Sequence, residues 1–269
     1  MEKITRNMKR DIKPYILRTT VLFLCIIALL TYVSKTTTVF SKTTMASYNV
    51  TQNKLLPIYC VETEENKVAL SFDAAWGNED LREILKILEE NDVKATFFMT
   101  GGWVESYPED VKAIKQAGHD LGNHSENHKQ MSTLSKDECV AEIKKTHDKV
   151  KELTGIEMYL FRPPYGDYND NLIKTVEEQG YYCIQWDVDS LDWKDFGVEA
   201  IVQTVCEHKH LGNGSIILMH NGAKYTVDAL DTVIKSLKAS GYEIVPISEL
   251  IMTKDYKMDH EGRQISTKD

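Results

Sequence analysis

Residues 68–77 read Val68-Ala69-Leu70-Ser71-Phe72-Asp73-Ala74-Ala75-Trp76-Gly77. The first five are apolar apart from Ser71, and the run then stops on a carboxylate. A short apolar run bounded by a polar turn reads as a strand. A charged side chain just past its carboxyl end stands where barrel-type α/β proteins place their chemistry.

The pattern recurs. Apolar runs at 68–72, 95–99, 119–122, 159–161, 182–186, 215–219 and 242–245 predict seven strands. Between them, 80–91, 109–117, 137–154, 169–179, 198–209 and 227–239 read as helices. Ser135 followed by Glu138 is a capping-box pattern, and Pro108 suits a first helical position. Gly118, Gly180 and Gly241 each follow a helical run and suit a left-handed cap. Strand–helix alternation predicts a parallel α/β sheet. Asp73, His124, Arg162, Asp187 and His220 all fall just after strand ends, which a barrel gathers at one mouth. The expected fold is therefore a distorted (β/α) barrel of seven or eight strands. Glycine-rich phosphate fingerprints are absent, which weighs against a nucleotide-binding doubly wound sheet.

The 269 residues suit one large domain with an appendage. The net charge of −9 is uneven: residues 1–50 carry +6, leaving −15 on the remainder. So acidic a body offers no basic stripe for nucleic acid. The five cysteines form no CxxC pair and read as small buried apolar residues. Residues 1–18 are basic, and 19–33 (TTVLFLCIIALLTYV) are apolar and uncharged. That order predicts a cytoplasmic segment, then a transmembrane or signal-anchor helix, with the body outside the cell membrane. A cleaved signal peptide is the rival reading, which would make the body secreted. The expected organisation continues with a linker at 34–60, a catalytic domain at 61–254 and a polar, mobile tail at 255–269.

Two histidines stand four apart in Gly122-Asn123-His124-Ser125-Glu126-Asn127-His128. In a tight turn both imidazoles can face one point, a geometry that suits a transition-metal ion. His119, His147, His208, His210 and His260 default to structural or solvated roles. Asp187 and Asp189 read as turn or surface groups. Trp76, Trp103 and Trp186 suit either sugar stacking or core.

Taken in order, Ser71–Gly77, His124–His128, Arg162-Pro163-Pro164-Tyr165-Gly166, Asp187–Trp193 and Leu218-Met219-His220 resemble the polysaccharide deacetylases, the carbohydrate esterase family four group. The first motif resembles the membrane-anchored sporulation and cell-wall branch. The resemblance implies a hydrolase removing N-acetyl groups from a glycan, peptidoglycan or a related wall polymer. It implies Asp73 as general base, Arg162 holding it ionised, His220 as general acid and Asp192 orienting His220. It further implies the Tyr165 backbone N–H at the oxyanion, Trp193 and Leu218 around the acetyl methyl, and His124 and His128 on a divalent metal, zinc being expected. In the family two aspartates stand together in the first motif, and the second ligates the metal; here that position is Ala74. Asp73 shifting to the metal, another carboxylate reaching in, and a weak or absent metal all stay open. The alternative function is a non-catalytic glycan-binding or wall-scaffolding module on the same barrel.

Overall fold

The computed structural model describes residues 26–31 and 54–268. The chain divides into two units, 1–53 and 54–269. In the first, residues 26–31 are helical; the rest of the expected 19–33 segment and residues 34–53 lie outside the described residues. Among the described residues no helix is long and apolar enough to cross a membrane.

All seven expected strands are present in the second unit. They are β2 (Lys67–Ala74), β3 (Thr96–Met99), β4 (Asp120–Asn123), β5 (Leu160–Phe161), β6 (Tyr182–Cys183), β8 (Ile216–His220) and β9 (Glu243–Val245). An unexpected short strand, β7 (Val188–Asp189), joins them. The order is β6-β5-β4-β3-β2-β8-β7, parallel throughout, with β9 also paired to β2. The six expected helices form close to their expected bounds. The Ser135 capping box closes with both hydrogen bonds. Gly118, Gly180 and Gly241 take φ of 81°, 80° and 89°, the left-handed turns expected of helix stops. Gly101–Ser106 and Ile247–Leu250 are further short helices.

The expected distorted barrel of seven or eight strands holds in part: the parallel sheet curls, but its two edges are not paired with each other. β6 and β7 are the two edges of the sheet, yet only residues 184–187 connect them. Seven flat strands would hold those edges about 29 Å apart at ~4.8 Å per strand. Five residue steps reach at most about 18 Å. The sheet must curl, and it does so as an incompletely hydrogen-bonded parallel half-barrel. The chain before β2 fills the seam. Ile58 bridges to Ile184 beyond β6, and Cys60 bridges to Ser215 before β8.

Two expected boundaries change accordingly. The linker at 34–60 ends earlier, because Ile58 and Cys60 are buried and β1 (Cys60–Val61) is paired. The tail at 255–269 is not loose. β10 (Tyr256–Met258) and β11 (Arg263–Ser266) form a three-stranded sheet with β1. Residues 55–61 (LLPIYCV) are an apolar run broken by Pro57, and the tail lacks a long apolar run, so neither pairing has a clear periodic signature.

Side-chain alternation divides the core in two. Val68, Leu70, Phe72 and Ala74 of β2 face the helix layer, while Ala69, Ser71 and Asp73 face the barrel interior. Cys60, Cys139 and Cys183 are free and buried, and Cys206 is free and half-buried.

Gln264 locks the tail. Its amide accepts from the Met252 N–H and donates to the Met252 carbonyl, both at 2.8 Å, and its side chain is fully buried. Gln264→Ala leaves both backbone groups unpaired and is expected to cost about 2 kcal/mol. Urea unfolding checks this; a loss below about 0.5 kcal/mol, the range of an ordinary surface substitution, contradicts a structural tail.

Candidate active site

Parallel pairing sets the site by register. Asp73 lies directly opposite His220 on neighbouring strands, and Leu218 lies opposite Asp189. Both β2 and β8 end here, so a carboxylate and an imidazole stand side by side at the carboxyl rim.

Arg162 follows β5 and is fully buried inside the barrel. Its Nη1 donates to Asp73 Oδ1 at 2.8 Å, and its Nη2 donates to Ser71 Oγ at 2.9 Å and the Gln185 carbonyl at 3.1 Å. The guanidinium lies 4.1 Å from the Phe98 ring centre and 5.5 Å from that of Trp186. Phe98 in turn rests on Gly122, where a Cβ would come within 2.5 Å of the ring. Burial alone would raise the Asp73 pKa, but His124, Arg162 and His220 outweigh it and hold the carboxyl below its usual range. Arg162 is the permanent charge among them, because a guanidinium does not deprotonate.

His220 is held from the opposite side. Its Nδ1 donates to Asp192 Oδ1 at 2.8 Å, and its backbone N–H donates to Asp192 Oδ2 at 2.7 Å. Thr226 Oγ1 donates to the same oxygen at 2.7 Å. Burial lowers the His220 pKa, yet the hydrogen bond and charge of fully buried Asp192 more than reverse this, so it ends above its ordinary 6.5. With Nδ1 pinned, Nε2 is left for the cavity.

The 123–128 loop follows β4. His124 Nδ1 lies 2.7 Å from the Arg162 carbonyl, which only accepts, so the proton sits on Nδ1. Burial keeps this imidazole neutral. Its Nε2 then directs a lone pair toward Asp73 Oδ2, 3.4 Å away. Two acceptors facing at that distance are best reconciled by a shared cation. His128 takes φ of 52° and brings its ring centre 4.9 Å from that of His124. Burial, with His124 beside it, lowers its pKa to about 4, leaving a neutral ring. The turn is braced from outside the motif. The Asn127 N–H and amide each donate to Glu142 at 2.8 Å, and Asn123 donates to the Ile143 carbonyl and accepts from the Ser125 N–H.

Asp73, His124, His128, Tyr165, Trp193, Leu218 and His220 line one cavity of about 450 Å³, with Arg162 and Asp192 behind it. All nine expected residues therefore converge. Tyr165 takes φ of 60° and is well exposed. Trp76, Trp186 and Asp189 also line the cavity, whereas Trp103 is core. Asp189 was expected at a turn or on the surface; its pairing with Leu218 carries it into the mouth. Asp187 is a structural group, accepting from Ser215 Oγ and the Ile216 N–H. Ser71, Asn123, Glu142 and Thr226 act through contacts distant in sequence, which no local pattern announces.

Residues 61–184 match the polysaccharide deacetylase family. A peptidoglycan-N-acetylglucosamine deacetylase of Bacillus cereus is 37% identical over 194 residues, covering 70% of this chain and 69% of the relative. Bc1960, a peptidoglycan N-acetylglucosamine deacetylase solved with a bound benzamide, aligns at 34% identity and a TM-score of 0.70, over 73% of this chain and 93% of that one. BA3943 of Bacillus anthracis, a CE4 family pseudoenzyme, aligns at 36% identity and a TM-score of 0.69, over 78% and 70%. A mutant of BA3943 has restored enzymatic activity. The chain belongs to the polysaccharide deacetylase family.

Such enzymes are generally metal-dependent. Two neutral imidazoles beside an ionised carboxylate fit a divalent cation, but among the described residues no three His, Cys, Asp or Glu side chains are gathered as a cage. Ala74 is fully buried with the apolar helix-facing residues of β2 and offers no donor atom. Ala74→Asp is expected to destabilise the metal-free protein by about 3 kcal/mol, the cost of a carboxylate in apolar surroundings. Zinc should raise the melting temperature of the unsubstituted chain, and a His124→Ala, His128→Ala double variant should lose that shift. Thermal melts with and without zinc check both; a zinc shift that survives in the double variant contradicts a metal site at His124 and His128.

Proposed function

We propose that the chain removes N-acetyl groups from a cell-wall glycan, with peptidoglycan as the substrate class. The observation that carries this is an ionised carboxylate, Asp73, in register with an imidazole biased toward protonation, His220, across one cavity. The named activities of the wall-glycan deacetylases it resembles support the substrate class.

Asp73 takes a proton from water, whose oxygen attacks the acetyl carbonyl carbon. Arg162 keeps Asp73 ionised for that step. The tetrahedral oxyanion is served by the backbone N–H of Tyr165. Trp193 and Leu218 enclose the methyl group. His220 Nε2 gives its proton to the leaving nitrogen as the C–N bond breaks, producing acetate and a free amine. A divalent metal at His124 and His128, zinc on donor chemistry, would supply a Lewis acid for the carbonyl and lower the pKa of the water.

Activity should rise as Asp73 ionises and fall as His220 deprotonates, giving an alkaline limb above 6.5. Asp192→Asn should move that limb to lower pH. Asp73→Asn and His220→Ala should each reduce acetate release about 1,000-fold. Enzymatic acetate assay on purified wall glycan with added zinc checks these; undiminished release in both variants overturns the assignment.

The basic-then-apolar order of residues 1–33 supports a membrane anchor holding the body outside the cell. The chain is then expected in the membrane fraction after an alkaline carbonate wash, and recovery in the wash contradicts an anchor.

Ala74, together with the likeness to a pseudoenzyme, favours one second reading: a glycan-binding module without turnover. It predicts glycan binding with no acetate released at any zinc concentration.

A further inference from the structure

Just beyond the cavity, the turn whose Trp193 helps enclose the acetyl methyl carries further features that the deacetylation step does not use. Trp193 is 50% exposed and Phe196 is 68% exposed. Leu191 and Asp195, neither of them glycine, take left-handed φ of 54° and 55°. That conformation costs roughly 1 kcal/mol or more at each position, and such strain collects where a surface is used. Its effect here is to present both aromatic rings to solvent.

Between the rings lies Lys194. Its ammonium stands 4.9 Å from the Trp193 ring centre and 5.9 Å from that of Phe196. The lysines in ion pairs among the described residues are others: 67, 86, 112, 129, 136, 144, 149, 151, 235 and 268. Lys194 is exposed and in none of these pairs, so its ammonium is open to a ligand. Trp193 also lines the cavity, so the shelf is continuous with the site.

A pyranose ring stacks its C–H face on an aromatic side chain, and an ammonium beside the ring selects a carboxylate on that sugar. We infer that Trp193, Lys194 and Phe196 bind a carboxylate-bearing hexosamine adjoining the sugar held in the cavity. The occupant is an N-acetylmuramic acid unit of a wall glycan that bears no stem peptide, whose free lactyl carboxylate carries the charge. The inference rests on the glycan-deacetylase reading for the identity of the chain that reaches the cavity.

Calorimetry on the purified full-length chain tests it with two probes. One is the tetrasaccharide of alternating N-acetylglucosamine and N-acetylmuramic acid; the other is uncharged chitotetraose. At low salt the anionic glycan should bind about fivefold tighter, the range of an exposed charge pair, and the preference should shrink as salt rises. Lys194→Gln should abolish the preference, Lys194→Arg should keep it, and Phe196→Ala should weaken both glycans. Equal affinities in the unsubstituted chain, a preference surviving Lys194→Gln, or no binding of either glycan overturns the inference. Because binding is read rather than acetate, a failure of turnover would count against the deacetylase reading and leave this ratio standing on its own.

Discussion

A guanidinium sealed inside a barrel must be answered by a carboxylate, and Arg162 with Asp73 is that pair. Losing one partner of such a pair costs about 3–5 kcal/mol, since the other is left charged and dry. The pair explains several residues at once. Ser71 and the Gln185 carbonyl take the remaining donors on Nη2. Phe98 supplies the flat face beneath the guanidinium, and Gly122 is bare so that Phe98 can lie there. The Arg162 carbonyl fixes the tautomer of His124. One buried cation thus sets the charge of the base and the orientation of a metal-directed imidazole.

Two of the three imidazoles lining the cavity are treated oppositely. His220 leans on Asp192 and is pushed toward its charged form. His124 leans on a neutral carbonyl and is kept uncharged by burial. Neighbouring rings of the same type therefore serve as acid and as ligand, according to what their Nδ1 meets. Ala74 bears on the ligand side alone. It offers no donor atom, while the pairs Arg162–Asp73 and Asp192–His220 remain complete.

Most of the fold could be read from the sequence because β2, β3 and β8 are apolar runs that stop on polar residues. The site could be read because Asp73, His124, Arg162 and His220 stand at or just past the ends of β2, β4, β5 and β8. What escaped depends on contacts far apart in the chain. β1 and β7 are two-residue strands, too short for a periodic signal, and β11 is polar at every position but Ile265 and so reads as surface. The seam closed by Ile58 and Cys60 is visible only once β6 and β7 are known to be edges. Asp189 looked like a turn residue because its place is set by pairing with Leu218. Glu142 steadies the histidine loop from a helix 15 residues away from Asn127, a distance no motif spans.

The central claim is a division of protonation states among histidines sharing one cavity. A pH titration of the protein with nitrogen-labelled histidine, followed by NMR, reads each ring directly. The account predicts that His220 titrates above 6.5 with Nδ1 protonated throughout, while His128 stays neutral until about pH 4 and His124 also titrates below 6.5. His220 titrating below 6.5 alongside the other two would contradict it.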